Sequence, residues 1–407
     1  MPERRTIPLK VQLLNKRYNL LFDNRRCVSV RQNYHNFGLV ALALCWIACC
    51  SPTFSWAQPT IEQVSYWENK NGQGELEIAL NNVFYPTKPD FLNLSEPNSV
   101  HWIRLRLTDL SDTIPYFLAT DSYHLEQITL FTQTADGQWK SVRNDTARFT
   151  MSRRMVLLDL KNYEPGSFAY LRLRITRPTR LQLSVYTESD FRAMFLRERN
   201  IFYGLFTTLL VLVCLLLTRG IRSRTYGYIW LGLALLAAGV YVAAINGLWL
   251  DYGLRLSPEN DERLQNIASG LLFFGLIRFV RYWQQTHRNL PDLDLFARFM
   301  EGGNLLIAGV SFFFVASFFT QVCFLNALFS SNLVFFLLLL RRAHGHEYLG
   351  IAVSGAYLGA MGFLMMILRL YGVIAISFLN LHSIAFGLAL QFLCLGISFF
   401  RTPPCPN

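Results

Sequence analysis

The sequence predicts an all-β external sandwich followed by an all-α bundle of seven transmembrane helices. Three observations carry the prediction. Apolar blocks of about twenty residues, the length a helix needs to cross a bilayer core about 30 Å thick, recur seven times between residues 201 and 400. Residues 58–190 consist instead of short alternating runs broken by Asn, Asp, Gly and Pro, the texture of a β-sandwich. A basic leader followed by an apolar run opens the chain and delivers its remainder across a membrane.

Composition agrees with this division. Of 407 residues, 52% are hydrophobic and 14% aromatic, too many for a wholly soluble protein. The net charge of +11 is unevenly placed. Residues 1–36 hold eight Lys/Arg against two acids, residues 58–190 fourteen against sixteen, and residues 191–407 sixteen against nine. Basic residues therefore flank apolar segments while the soluble region is slightly acidic, which indicates membrane topology and excludes nucleic acid as a partner. The soluble region contains no cysteine, so an apolar core, without disulfides, must hold it together.

In order along the chain, residues 1–57 form a basic leader and signal peptide. The apolar run 37–50 is short for a span, and Ser55 and Ala57 supply the small residues of a cleavage site before Gln58; an uncleaved anchor is the alternative. An external sandwich sensor domain is expected over 58–187, with strands at 75–80, 100–108, 116–120, 127–132, 154–160, 168–176 and 181–187. Period-two alternation puts Trp102, Arg104, Arg106 and Thr108 on one face and Ile103, Leu105 and Leu107 on the other; Arg172 and Arg174 oppose Leu171, Leu173 and Ile175 in the same way. Ala135-Asp136-Gly137 marks a hairpin loop.

Residues 188–200 predict a juxtamembrane helix, acidic in its first turn and basic in its last. It enters the first span without Gly or Pro. Spans are expected at 201–217, 226–248, 264–282, 303–319, 322–340, 348–368 and 374–400, with a short cytoplasmic tail at 401–407. Loops after the first, third and fifth spans carry arginines, which places them and the C-terminus in the cytoplasm and the sandwich outside.

The strand HWIRLRL with its Trp102-x-x-Leu105-x-Leu107 pattern, then Tyr116-Phe117-Leu118, EQITLFT with a DGQW hairpin, and FAYLRLRITRPTRLQLSVY lead into a span opened by Tyr203-Gly204. In this order they resemble the bacterial seven-transmembrane receptors with diverse intracellular signalling modules, over residues 60–400. The resemblance implies a jelly-roll-like external domain, similar to carbohydrate-binding modules, and small-molecule or glycan sensing. Members of that family typically continue into a histidine kinase, a diguanylate cyclase or another output module, whereas this sequence stops at RTPPCPN. The expected output therefore passes to a separate protein, unless the chain is a truncated relic or a decoy.

Candidate ligand-binding residues are Trp102, Arg104, Tyr116, His124, Trp139 and Arg148: aromatic faces stack on sugar rings, and Arg or His donates to hydroxyls. Trp102 and Tyr116 are equally suited to the core. Within the membrane, Asn380, His382 and Gln391 of the last span stand out, because an ionisable group there is costly; a neutral His382 bonded to Asn380 or a serine is the plain alternative. Gly355, Gly359 and Gly362 suit close helix contact. Arg222, Arg288 and Arg341 are expected to face a cytoplasmic partner. No enzyme, cofactor or metal site is expected: Ser354 with His382 only half matches an intramembrane serine protease, and His344 with His346 lacks further ligands nearby. The partners expected are a small-molecule or glycan ligand, the lipid bilayer and a cytoplasmic signalling protein in trans, with a homodimer left open. The rival reading is a transporter or an envelope-polymer assembly factor, against which the spans show few buried charges.

Overall fold

The structure, a computed structural model, describes residues 61–401 apart from short stretches, the longest being 144–155 and 374–381. The leader and signal peptide expected at 1–57 lie outside the described residues. The strands are β1 (Ile61–Asn69), β2 (Tyr85–Thr87), β3 (Leu92–Leu94), β4 (Val100–Leu107), β5 (Tyr116–Thr120), β6 (Leu125–Gln133), β7 (Trp139–Arg143), β8 (Val156–Asp159), β9 (Phe168–Ile175), β10 (Thr179–Leu181) and β11 (Leu183–Thr187). A short helix, α1 (Leu76–Leu80), interrupts them after β1.

All pairings are antiparallel. One sheet runs β2-β1-β4-β9-β6-β7, a second β11-β5-β8, and β10 pairs with β3. Ile103, Leu105 and Leu107 of β4, Leu171 and Leu173 of β9 and Ile128 and Leu130 of β6 meet Leu118, Leu158 and Val185 from the second sheet in one core. Alternation placed these residues correctly because a strand's side chains must leave its two faces in turn. Tyr163 closes the rim: its hydroxyl accepts from Leu107 N–H and donates to Ser167 O at 2.6 Å. In the Thr134–Gln138 hairpin, Gly137 takes φ 76° and donates to Thr134 O, the left-handed geometry that glycine adopts without penalty.

Two expectations are corrected. Residues 75–80 form helix α1 and no strand, since Leu76, Ala79 and Leu80 recur at helical spacing and Ala79 is buried against Trp102. The first strand is β1, whose alternation is broken by a register shift between Ile61 and Gln63, and that break hides it from a period-two search.

From Glu188 the described elements are all helices: α2 (Glu188–Ser223), α3 (Tyr226–Ile245), α4 (Leu248–Asp251), α5 (Pro258–Gln284), α6 (Thr286–Asn289), α7 (Pro291–Ser311), α8 (Ser317–Ala343), α9 (Gly350–Leu370) and α10 (Ser383–Arg401). Five of these, α2, α3, α8, α9 and α10, are long and apolar enough to cross a membrane. The remaining long helices, α5 and α7, bury Asp261, Glu262, Asp294 and Glu301. Helix α7 begins at Pro291, which suits a first helical position, and ends at Ser311, ahead of the 303–319 span expected. The glycine stripe does pack helices: a Cβ on Gly355, Gly359 or Gly362 would collide with Cys394, Gln391 or the Ser383 carbonyl of α10.

His101 in β4 is fully buried, with one ring nitrogen 2.8 Å from the Tyr66 hydroxyl and the other 2.9 Å from Glu96 O. Burial lowers its pKa below the ordinary 6.5, more than the Glu96 carbonyl and the Glu68 and Glu96 charges raise it. The folded sheet therefore binds fewer protons than the unfolded chain in mildly acid solution. Its stability is complete above about pH 6.5 and declines as pH falls below that value. Amide exchange of β4 in the full-length protein, corrected for intrinsic rates, should be faster at pH 5.5 than at 7.5, and His101→Gln should flatten that difference.

Candidate functional site

Cross-strand register assembles the outer face of the six-stranded sheet. Trp67 of β1 pairs with Trp102 of β4, Trp102 with Arg172 of β9, Arg172 with Thr129 of β6, and Thr129 with Arg143 of β7. The next row holds Arg104, Tyr170, Phe131 and Ser141. Trp102 stacks on Phe131 at 5.7 Å, and Trp139 meets Tyr170 edge-on at 5.5 Å. The Arg104 guanidinium lies over both Phe84 and Phe168, at 5.2 and 4.9 Å, within cation–π range.

This face brings together three of the expected ligand residues, Trp102, Arg104 and Trp139. Trp102, however, is 0% exposed beneath Ala79 and Phe84, so it serves the core of this face in the arrangement seen. Its Nε1 has no hydrogen-bond partner among the described residues. Tyr116 is placed elsewhere, in β5 of the second sheet, packed against the inner core. His124, Arg148 and Asn380 lie outside the described residues.

Arg172 was legible as an outward residue, but its setting was not. Its guanidinium packs so closely on Gly74 that a Cβ there would strike it. Burial first, then the neighbouring Arg143 and Arg174, depress its pKa from the usual value.

The second constellation lies on α2. Thr187 caps the helix by accepting from Asp190 N–H, and Glu188 and Asp190 favour the positive end of its dipole. Phe191 and Phe195, both buried, pack against Phe117, Ala119 and Leu157 on the outer side of the three-stranded sheet. One turn further, Glu198 Oε1 lies 3.0 Å from His382 Nε2, while His382 Nδ1 lies 3.1 Å from Asn246 Oδ1 at the end of α3. Asn246 donates its Nδ2 to Val242 O, which leaves Oδ1 as acceptor. Both ring nitrogens thus lie within hydrogen-bond distance of a side-chain oxygen, one from α2 and one from the end of α3. Phe202 closes the site, edge-on to the imidazole at 4.9 Å.

His382 was expected inside the last span, with bonding to Asn380 or a serine as the alternative to a functional role. It sits just before α10 and joins that helix to α2 and α3. Ser354 is exposed on α9 and donates to Gly350 O, bonded to its own helix. Gln391 is fully buried against Gly359, and neither side-chain polar atom has a partner among the described residues.

A third group escaped sequence reasoning because arginines at the end of a span read as part of a solvated loop. Arg281 of α5 pairs with Asp294, at 2.9 Å, and with Glu301 of α7. Arg278 reaches Glu301 at 2.8 Å, Arg298 reaches Asp294 at 2.9 Å, and Thr286 also donates to Asp294. Polar contacts continue along α7 and α8, where Asn304 donates to Ser330 and accepts from Asn326. Towards the start of α5, Asn266 and Glu262 converge on Thr320 of α8. The expectation of a bundle with few buried charges is therefore corrected. Of the arginines expected to face a partner, Arg222 and Arg288 are exposed, while Arg341 is half-buried with Nε 3.5 Å from Gln284 Oε1.

An antiparallel sandwich followed by long apolar helices defines a membrane protein with an external folded domain. The family model described as 7TM diverse intracellular signalling matches residues 198–401, and that described as 7TMR-DISM extracellular 2 matches residues 61–187. The chain belongs to this family of seven-transmembrane signalling receptors with an extracellular domain. No curated protein matches it.

Removing one member of a buried ion network strands the others, at a cost of about 3–5 kcal/mol. Arg281→Ala should therefore lower the thermal unfolding temperature of the detergent-solubilised protein clearly, and Arg288→Ala, on an exposed residue, should leave it within error. Equal melting of the two variants would contradict the assigned network.

Proposed function

We propose that the protein is a signal-transduction receptor of a bacterial inner membrane. In this reading the sandwich senses a carbohydrate-like or other small ligand outside, and the helices relay its presence to a separate cytoplasmic protein. The observation that carries the reading is α2, a single 36-residue helix about 54 Å long. Its first turns are seated on the β-domain and its body belongs to the helical bundle. A ligand that binds two arrangements of the sandwich with different affinity shifts their populations, and a helix that has neither Gly nor Pro from Glu188 to Tyr203 transmits the shift. The contact of Glu198 with His382 passes it on to α3 and α10.

The far ends of the helices carry Arg219 and Arg222 in the last turns of α2, Arg224 just after it, and Arg341 and Arg342 at the end of α8. This charge supports a cytoplasmic location for that side and gives an acidic partner surface something to contact. A second reading, transport, is favoured by the buried polar groups of α5, α7 and α8, whose pairing the sequence did not reveal. Flux of substrate or ions through vesicles containing the purified protein distinguishes it.

Relay through α2 is tested with spin labels at positions 222 and 341. Ligand should change their separation in the otherwise native protein. Inserting two glycines after Phe195 should abolish that change while ligand binding persists, and Glu198→Gln should reduce it. A full response in the glycine variant would rule out α2 as the conduit.

A further inference from the structure

Helix α5 carries a stripe of polar side chains that is turned into the protein. Glu262, Gln265, Asn266 and Ser269 recur at helical spacing, within about 100° of one another around the axis, and all four are buried. Thr320 of α8 ties two of them together, donating to Glu262 and accepting from Asn266 Nδ2 at 3.1 Å. Cys323, the next turn of α8, lies close enough to Glu262 to feel its charge. From α3, the Tyr241 hydroxyl comes up to Ser269. Three helices therefore meet around these groups, in the part of the bundle where α5 and α8 begin.

What the group lacks is a positive charge. Among the described residues no Lys, Arg or His pairs with Glu262; Arg263 beside it pairs with Glu259 and reaches Asn260, on the exposed side of the helix. Gln265, 3% exposed, has an Oε1 without a donor, and the hydroxyl of Tyr241, 1% exposed, makes no hydrogen bond among the described residues. A carboxylate enclosed by protein without a counter-charge is costly, and an amide oxygen without a donor adds to that cost. A proton on Glu262 would remove the charge but leave Gln265 Oε1 unsatisfied. A hard cation meets both needs, since carboxylate, amide and hydroxyl oxygens are the ligands such ions take. One carboxylate balances one positive charge, whereas a divalent ion would leave the enclosed site charged. Because Glu262 and Asn266 are held to a single hydroxyl, the grouping is tight and suits a small monovalent ion.

We propose that Glu262, Gln265 and Thr320, with Asn266 and Tyr241 around them, form a sodium-binding site between α3, α5 and α8. The inference concerns the helical bundle and goes beyond the receptor reading, since it requires nothing of the ligand of the sandwich. A bound ion joins α5 to α8 and so stabilises the arrangement of helices described above. The sequence did not disclose the site, because Glu262 precedes the span expected at 264–282 and reads there as part of an acidic loop.

Thermal unfolding of the full-length protein in nanodiscs, with sodium chloride replacing choline chloride at constant ionic strength, tests it. An ion that binds the folded state stabilises it increasingly with concentration. The unfolding temperature should therefore rise saturably with sodium, and potassium should need a several-fold higher concentration. Glu262→Gln, which keeps the shape and removes the charge, should abolish the rise, and Gln265→Met should move half-saturation several-fold upward. Glu259→Gln, on an exposed carboxylate of the same helix, should leave the sodium response unchanged. In choline chloride Glu262→Gln should melt no lower than the native protein, because the uncompensated charge is gone; should that variant fail to fold, Gln265→Met decides. Equal effects of sodium and potassium, a sodium effect that survives Glu262→Gln, or a half-saturation unmoved by Gln265→Met overturns the site. Stabilisation by calcium at lower concentrations than sodium overturns the monovalent assignment, and stabilisation by acid without any sodium response overturns the ion in favour of a proton. Each of these outcomes leaves the spin-label test of the receptor reading unaffected.

Discussion

Phe191 and Phe195 stand one turn apart on α2 and fill the outer side of the three-stranded sheet against Phe117, Ala119 and Leu157. Each buried aromatic ring contributes on the order of 2 kcal/mol, and together they fix both the position and the rotation of the helix. Rotation matters because α2 continues without a break to Ser223. Once Phe191 faces the sheet, the helix's turn of about 100° per residue decides where Glu198 and Phe202 point, and they point at His382. The sandwich and the bundle are thus set relative to one another by side chains on a single element.

Inside the bundle two different kinds of contact operate. Between α9 and α10, glycines let backbones approach, and dispersion over a close surface holds the pair together. Between α5 and α7, Arg281 is matched to Asp294 and Glu301, with Thr286 and Arg278 satisfying further lone pairs. Such a network tolerates burial only when its members are paired. It pins the hairpin formed by these two helices at the end remote from the sandwich, while the Glu198, His382 and Asn246 contacts act near the sandwich end.

Much of the fold was legible because its signals are local. The strand from Val100 to Leu107 announced itself by alternation, and the hairpin at Gly137 by its turn residues. Where a signal was interrupted, the reading failed: the register of β1 shifts between Ile61 and Gln63, and Leu76, Ala79 and Leu80 in five residues suit a strand or a helix until Trp102 is there to be covered. The candidate site was legible in part. Trp102, Arg104 and Trp139 do share a face, but Tyr116 lies on another sheet, and the neighbours of Arg172 depend on a register across four strands that no single strand encodes.

The amino-acid sequence by itself determined the two-part architecture, the inward and outward faces of the strands, and the unbroken passage from residue 188 into the membrane. Hydrophobic alternation along a strand and long apolar blocks are properties of contiguous chain. Only the tertiary structure decided the partners of the charged and polar groups. His382 meets Asn246 and Glu198 across 136 and 184 residues, and Arg172 meets Arg143 through two intervening pairings. Such contacts join distant segments through the packing of whole sheets and helices, so they exist only once the chain has folded.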